Sequence, residues 1–518
     1  MKDRITDIAL AIMSGALTAF SVPKFGLSFF AWISLIPLLF IIINKKPARS
    51  FLLGLIAGGS YNAVLIYWIP SVPAYYGNLS IGISIIIYLV FVLFLALYWA
   101  FFCFLWTKIS QSFPKLVFLL APFLWISLEY ILTHFLTGFP WGLIGSTQYQ
   151  NIWFIQMASI TGVYGLSFVL VLFQSLFLYS MKYRKKTPFL SVLALVLIIH
   201  LGGFLSLKKT TLTEDSFTAS VIQGNVSSDI SWDQVTTQEI WSLFNQHIEL
   251  SRKSYEGGAE LIIWPEFSVP LCFSCSYGYF QDFKEKLNQF VQETDCTLLL
   301  GTNEKTSTPG DVSYHNTALC LSPDLSTSHY YKMHLVPFGE YTPYKKIFSF
   351  IEKMTHAIGE ISPGTQYKLH PFKSLKFGSP ICYEIIFPNL VRKFAKKGAG
   401  FLVTITNDGW YGRSSAPYQH FSMAVLRSVE NRRYLLRAAT TGISGIIDPY
   451  GRILSKSKLM TQTHLTEVIT PSKTLTFYTK FGDVLPFLSL TLTPVFIILA
   501  VVKKRNERKR RRSKKEPL

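Results

Sequence analysis

The sequence predicts a multi-pass bundle of eight membrane-spanning α-helices that carries a layered α/β domain on its extracytoplasmic side. Three observations lead there. Half of the 518 residues are hydrophobic and 15% are aromatic, with a mean hydropathy of +0.31, which is more apolar than an ordinary soluble chain. Most of that apolar content lies in runs of membrane-crossing length. Across residues 217–470 the pattern changes to short β-rich stretches alternating with amphipathic helical ones.

A hydrocarbon layer about 30 Å thick takes roughly 20 mostly apolar residues per helix. Eight runs meet that length: 5–22, 25–43, 51–69, 81–106, 116–135, 160–181, 189–207 and 486–502. The first follows Lys2 and Arg4 but has no small-residue cleavage site after it, and further spans come directly behind, so it reads as a retained anchor and not a signal peptide. Cations next to short loops stay on the cytoplasmic side. Lys45, Lys46 and Arg49 follow the second run, Lys108 and Lys115 the fourth, and Lys182, Arg184, Lys185 and Lys186 the sixth, whereas loops 71–80 and 137–159 hold no Lys or Arg. Both termini are therefore expected inside and the middle segment outside. The expected organisation is a seven-helix transmembrane region over 1–210, the α/β domain over 211–475, an eighth transmembrane helix over 476–502 and a basic cytoplasmic tail over 503–518.

The net charge of +20 raises the question of a nucleic-acid partner, but the tail alone carries ten Lys or Arg against two Glu. Directly behind a span, such a tail reads as a stop-transfer signal and an anchor to anionic membrane lipid. The outer segment has no basic stripe with interleaved aromatics, so no nucleic acid is expected as a partner. The six cysteines include no paired C-x-x-C spacing that would build a zinc site, and no metal and no cofactor are expected. The single C-x-x-C of Cys272 and Cys275 leaves open a short-loop disulfide or two unpaired thiols.

In the outer segment, 218–226, 260–266, 297–303, 316–323, 379–387, 401–408, 444–451 and 464–470 read as strands, and 236–255, 280–293, 390–398 and 423–439 as amphipathic helices. Apolar strands alternating with helices imply a layered α/β domain. Three motifs stand where strands end, the usual place for reacting groups in such domains. WPEFSVP carries Glu266, YYKMHLVPFGEYTP carries Lys332 and Glu340, and SPICYEIIFP carries Cys382, Tyr383 and Glu384. Each is weak alone. Together they supply what a thiol needs to attack an acyl carbon: a nucleophile, a base for its proton and a cation to hold the oxyanion.

This set resembles the nitrilase, or carbon-nitrogen hydrolase, superfamily, whose members place a Glu-Lys-Cys triad on an α-β-β-α sandwich. Within it the chain is similar to the family of bacterial apolipoprotein N-acyltransferases, which surround such a domain with eight membrane helices. The likeness extends to QGNV at 223–226 with Trp232 downstream, TGFPW at 137–141, TNDGWYG from Thr406 and RSVENRRYLLRAATTGISGIIDPYG from Arg427. Gly409 and Tyr411 stand in for the small and aromatic residues usual in the NDAWFG motif, and the arginine often found shortly after the membrane glutamate is absent after Glu129.

The resemblance makes Cys382 the nucleophile, Glu266 the general base and Lys332 the oxyanion stabiliser, with Glu340 in support. Tyr383, Glu384 and Trp232 match positions linked in the family to function or substrate handling, and Asn407 and Trp410 fall in the motif that forms the far wall of the pocket. It implies a phospholipid acyl donor, a fatty-acyl thioester on Cys382 and the amine of a diacylated apolipoprotein as acceptor. It places the enzyme in the bacterial inner membrane, with the catalytic domain on the periplasmic side and as a monomer. Segment 345–364, with Ile347, Phe350, Ile351, Met354 and Ile358 at helical spacing, reads either as a lid lying at the interface over the site or as a helix packed on the domain. Glu129 lies inside the fifth run, where an interior hydrogen bond and a functional role are both open. His315, His334 and His420 lack metal-ligand spacing and are assigned no catalytic role. The rival readings are a membrane-tethered nitrilase-type amidase or hydrolase, with water as acceptor, and a transporter or scaffold whose outer domain is a sensor.

Overall fold

A long apolar run becomes a helix because only a helix, short of a closed barrel, satisfies its backbone N–H and C=O groups without water. The computed structural model describes residues 2–77, 79–207, 212–226, 236–268, 273–274, 279–308, 311–343 and 361–513, and the chain divides into two units.

The first unit comprises Met1–Pro70, Ile85–Ser206 and Asp483–Leu518. Six helices among the described residues are long and apolar enough to cross a membrane: Asp3–Ser21, Ile81–Ser110, Val117–His134, Val163–Tyr183, Thr187–Ser206 and Val484–Arg508. The other two apolar runs take a different form. Run 25–43 divides into a 3-10 turn, Ser28–Trp32, and a short helix, Ile36–Ile42, with Pro37 at its start. Pro37 stands in the first turn of the short helix, where its missing N–H costs no helical hydrogen bond. Run 51–69 becomes helix Pro47–Leu65, whose Gly54 and Gly58 reduce its apolar content. A Cβ at Gly58 would lie 2.7 Å from the Trp99 side chain and one at Gly54 would lie 2.6 Å from the Trp99 carbonyl oxygen. This small-xxx-small seam lets two helix backbones approach closely.

Val117–His134 and Val163–Tyr183 are mostly buried, whereas the most apolar stretches of Ile81–Ser110, Thr187–Ser206 and Val484–Arg508 have few buried residues. Ile86, Leu89, Ile198, Leu201 and Ile498 stand on that exposed surface, whose apolar extent fits hydrocarbon better than water. Glu129 turns inward, where its Oε1 accepts from Trp125 Nε1 at 2.9 Å and from the Ile144 N–H at 3.0 Å.

The second unit comprises Ser71–Ser84 and Leu207–Gly482. Its strands are β1 (Phe217–Gln223), β2 (Leu261–Ile263), β3 (Thr297–Thr308), β4 (Asp311–Leu321), β5 (Thr327–Tyr331), β6 (His370–Phe372), β7 (Leu375–Gly378), β8 (Phe401–Thr406), β9 (Leu435–Ala439), β10 (Gly445–Ile447), β11 (Ile453–Lys456) and β12 (Thr463–Ile469). They form two six-stranded sheets, ordered β12-β1-β2-β3-β4-β5 and β11-β10-β9-β8-β7-β6. In each, three parallel strands lie at the centre and antiparallel strands flank them. The central strands are apolar on both faces because both faces are covered. On one face the sheets meet each other, with the Phe217 ring 4.7 Å from Phe372 and 5.0 Å from Phe401. On the other, helices Thr237–Glu256 and Tyr279–Thr294 bury Phe244, Phe283 and Leu287 with Trp264 against the first sheet. Helices Pro388–Lys396 and Ala416–Asn431 pack along the second sheet.

Gln223 of the QGNV motif ties the two sheets together. Its Oε1 accepts from Ser444 Oγ and Ser457 Oγ, both at 2.7 Å, and its Nε2 donates to the carbonyls of Lys458 and Thr461, both at 2.8 Å.

Two expected elements differ. Segment 379–387 is not a strand: Ile381 makes a single bridge to Ile405, and the backbone then turns at Cys382 into a 3-10 helix, Cys382–Ile386. Segment 423–439 is not one helix, because the helix ends at Asn431, Arg432 enters the left-handed region, and Leu435–Ala439 becomes β9. Trp232, Cys272, Cys275 and all of segment 345–364 before Ile361 lie outside the described residues.

Candidate active site

Glu266 follows β2 through Trp264 and Pro265, in a loop that runs against β3. The approach needs glycine at position 301, where a Cβ would lie 2.5 Å from the Glu266 Cα. Glu266 is 3% exposed. Its Oε1 accepts from Lys332 Nζ at 3.2 Å and Asn316 Nδ2 at 2.7 Å, and its Oε2 accepts from the Asn407 N–H at 2.8 Å.

Lys332 directly follows β5, and its own N–H donates to the Asn316 carbonyl at 2.9 Å. Its Nζ also donates to Glu340 Oε1 at 2.9 Å, and Glu340 Oε2 accepts from the Val336 N–H at 2.8 Å. Asn316 Nδ2 joins the two carboxylates, donating to Glu340 Oε1 at 2.8 Å as well as to Glu266. Burial opposes the Lys332 charge, but Glu266 and Glu340 more than offset it and hold the ammonium above its ordinary pKa.

Cys382 sits at φ +50°. For a residue with a Cβ this conformation costs about 1–2 kcal/mol and persists where the surroundings over-determine it. Burial, then Glu266, push its thiol pKa up, and Lys332 only partly offsets them. The resting sulfur is therefore a thiol, and its proton has to be taken as it attacks.

Glu384 fastens the lysine arm to the cysteine arm. Its Oε1 accepts from the N–H groups of Met333 at 2.8 Å and His334 at 3.0 Å, and its Oε2 from the Ile381 N–H at 2.8 Å. The Tyr330 hydroxyl donates to the same carboxylate at 2.8 Å. Burial raises Glu384 to about 7 although these donors favour its charged form. Tyr383 is buried and packs on Phe387 at 5.2 Å and His334 at 5.7 Å.

Asn407 acts through its backbone on Glu266, while its side chain accepts from the Gly409 N–H at 3.0 Å and opens the turn Asp408–Tyr411. Trp410 packs on Tyr76, with ring centroids 4.2 Å apart, and the Tyr76 hydroxyl donates to the Gly409 carbonyl at 3.3 Å.

The structure thus gathers Glu266, Lys332, Glu340, Cys382 and Glu384 around one buried constellation. It adds Asn316, Thr406, Asp408 and Arg437, which the sequence analysis does not single out. It also brings in His420, to which the sequence assigns no catalytic role and whose Nε2 lies 3.2 Å from the Cys382 carbonyl oxygen. A thiol, a carboxylate and a fixed ammonium buried together are equipped for acyl transfer through a thioester.

Residues 218–474 match the carbon-nitrogen hydrolase family, and residues 14–176 match the apolipoprotein N-acyltransferase N-terminal domain. The apolipoprotein N-acyltransferase of Geobacter metallireducens is 36% identical over 512 residues, covering 96% of each chain. The chain belongs to the apolipoprotein N-acyltransferase family. A second apolipoprotein N-acyltransferase, from Wigglesworthia glossinidia brevipalpis, is 32% identical over 96% of this chain and 98% of its own. Among solved structures, an amidase from Nesterenkonia sp. aligns at 18% identity and a TM-score of 0.37, covering 51% of this chain and 94% of that one. As an apolipoprotein N-acyltransferase family member, the chain carries its Glu-Lys-Cys constellation wholly within the segment that matches the carbon-nitrogen hydrolase family.

Proposed function

We propose that this protein transfers a fatty acyl chain from a phospholipid, through a thioester on Cys382, to the N-terminal amine of the diacylglyceryl cysteine of apolipoproteins. The observation that carries the reading is the buried Glu266–Lys332–Glu340 ion cluster acting on the Cys382 thiol, in a chain whose relatives match it across both units.

In the first half-reaction Glu266 takes the thiol proton as Cys382 Sγ attacks an ester carbonyl carbon of the phospholipid. The oxyanion forms beside the Lys332 ammonium, which is already charged and fixed, so little reorganisation is needed as negative charge develops. The ester C–O bond breaks, the lysophospholipid oxygen takes the proton from Glu266, and the acyl chain stays on sulfur. In the second half-reaction the acceptor amine attacks the thioester, Glu266 takes its proton, the C–S bond breaks and the thiol is restored. Glu340 and Asn316 keep Lys332 in place, and Glu384 holds the lysine and cysteine arms together. Tyr383, Asn407, Trp410 and Trp232 contribute to substrate handling.

The protein sits in the bacterial inner membrane as a monomer with eight crossings, over the domain boundaries 1–210, 211–475, 476–502 and 503–518. Both termini are cytoplasmic and the catalytic domain faces the periplasm. Ion pairs from Asp7 to Lys45 at 2.7 Å and to Arg49 at 3.8 Å support the second and third crossings, because they bring loop 43–49 back to the end where helix Lys2–Ser21 begins. Lys503 Nζ donates to the Ser112 carbonyl at 2.7 Å, which supports a common side for the tail and the basic loop 108–115.

The test is an incubation of purified protein with phospholipid and a synthetic diacylated lipopeptide, read by mass spectrometry. The proposal expects a lipopeptide heavier by one fatty acyl group at its amine, together with lysophospholipid. Conversion of the phospholipid to free fatty acid alone would instead favour the membrane-tethered hydrolase.

A further inference from the structure

Cys382 is held at two atoms by residues outside the ion cluster. Thr406 Oγ1 lies 3.1 Å from its sulfur, and His420 Nε2 lies 3.2 Å from its carbonyl oxygen. The two paths meet at Asp408, whose Oδ1 is 2.9 Å from His420 Nδ1 and 3.2 Å from Thr406 Oγ1. Arg437 closes the arrangement, with Nη2 2.7 Å from Asp408 Oδ2 and 3.1 Å from His420 Nδ1. Thr406, His420 and Arg437 are fully buried and Asp408 is 1% exposed. The result is a closed ring that leaves Cys382 at its carbonyl and returns to it at sulfur.

The hydrogens around the ring are constrained. A carbonyl oxygen only accepts, so His420 Nε2 carries a hydrogen and donates to Cys382. In the neutral imidazole that burial favours, Nδ1 then accepts from Arg437 Nη2, which also donates to Asp408 and so closes the ring. Thr406 has one hydroxyl hydrogen and faces two acceptors, so it serves one at a time. While sulfur is a neutral thiol, the Asp408 carboxylate is the stronger acceptor. Asp408 stays ionised, since the Arg437 guanidinium overcomes burial and holds it at about 2. It keeps Arg437 as its donor when the hydroxyl turns away.

We propose that Thr406 donates its hydroxyl hydrogen to the Cys382 sulfur whenever that atom carries negative charge, and that His420, Asp408 and Arg437 are positioning residues that hold the Cys382 peptide in its left-handed conformation. Sulfur is negative at two moments, when the thiol proton leaves and when the thioester C–S bond breaks, so the ring serves both half-reactions. The inference rests on Cys382 being the acyl-carrying nucleophile. The other charges acting on the thiol are Glu266, Lys332 and Asp408. The ring variants leave all three in place.

The experiment compares full-length wild type with Thr406→Val, Thr406→Ser, His420→Leu and His420→Gln. It reads the pH dependence of Cys382 alkylation by iodoacetamide, together with kcat and KM for acyl transfer. Thr406→Val is expected to move the alkylation midpoint up by about one pH unit and to lower kcat about tenfold with KM within about twofold. Thr406→Ser keeps the hydroxyl and stays near wild type. His420→Leu lowers kcat by about 10–100-fold, and His420→Gln, which retains an N–H donor, recovers part of the loss. If His420→Leu does not fold, the near-isosteric Thr406→Val decides. A Thr406→Val enzyme with the wild-type midpoint and kcat overturns the inference while leaving acyl transfer intact. A wild type that alkylates at Cys382 but never carries an acyl group there overturns the transfer reading, and the inference falls with it.

Discussion

Lys332, 1% exposed between two carboxylates, is a structural requirement as well as a chemical one. Lys332→Met removes the cation that the two carboxylates share and leaves both buried without it. Breaking such a pair costs about 3–5 kcal/mol, so thermal unfolding in detergent should show a clear loss of stability, and acyl transfer should fall by about 100-fold or more. Glu384 gives a pH signature. Its folded pKa of about 7 lies above the ordinary 4.5, so the folded state binds this proton more tightly than the unfolded chain. Its contribution is greatest below about 4.5, is lost as pH rises toward 7 and is constant above that. Melting temperatures at pH 5 and pH 8 should therefore differ more in wild type than in Glu384→Gln. The motifs made Glu266, Lys332, Glu340 and Cys382 legible because each is fixed by its local chain. Asn316 was not, since it is one polar residue on a long strand, and only the sheet register, with Asn303 opposite it, brings its amide between the two carboxylates.

At the scale of elements, periodicity found β1, β2, β3 and β8 among the parallel central strands, whose apolar runs record burial on both faces. It did not find β5, β6, β7 or β11, which are three to five residues long and partly exposed. It also read 379–387 as a strand, because the left-handed turn at Cys382 replaces extended backbone with a 3-10 helix while the side chains remain apolar. The helix expected over 423–439 ends at Arg432 for the same kind of reason, a single left-handed residue without a glycine to announce it. Gly301 allows a direct test of how β3 positions the base. Gly301→Ala would place its Cβ 2.5 Å from the Glu266 backbone, where no flexible side chain is available to yield. Overpacking of this kind costs about 1–3 kcal/mol. We expect a modest fall in melting temperature and a larger fall in kcat, measured on the same preparation.

At the scale of the whole molecule, basic loops alternating with cation-free ones give an orientation that hydropathy alone does not. Among the described residues, length and composition alone select six helices, and the interrupted run 25–43 and the glycine-bearing helix Pro47–Leu65 require the loop charges to be placed. Orientation is measurable with a membrane-impermeant maleimide on spheroplasts, in a background with Cys272 and Cys275 replaced. Glu249→Cys, exposed on helix Thr237–Glu256, should react in intact spheroplasts, whereas Arg505→Cys should react only after lysis. The reverse pattern would invert the proposed topology. In the proposed function both units serve one species, an enzyme carrying a lipid-derived acyl chain. The most direct test of that species is the mass of the Cys382 peptide after purified protein has met phospholipid, with Cys382→Ala as control. The account predicts a fatty-acyl adduct on that peptide, absent from the variant and discharged when diacylated lipopeptide is added; a Cys382 peptide that stays unmodified while acyl transfer proceeds would contradict it.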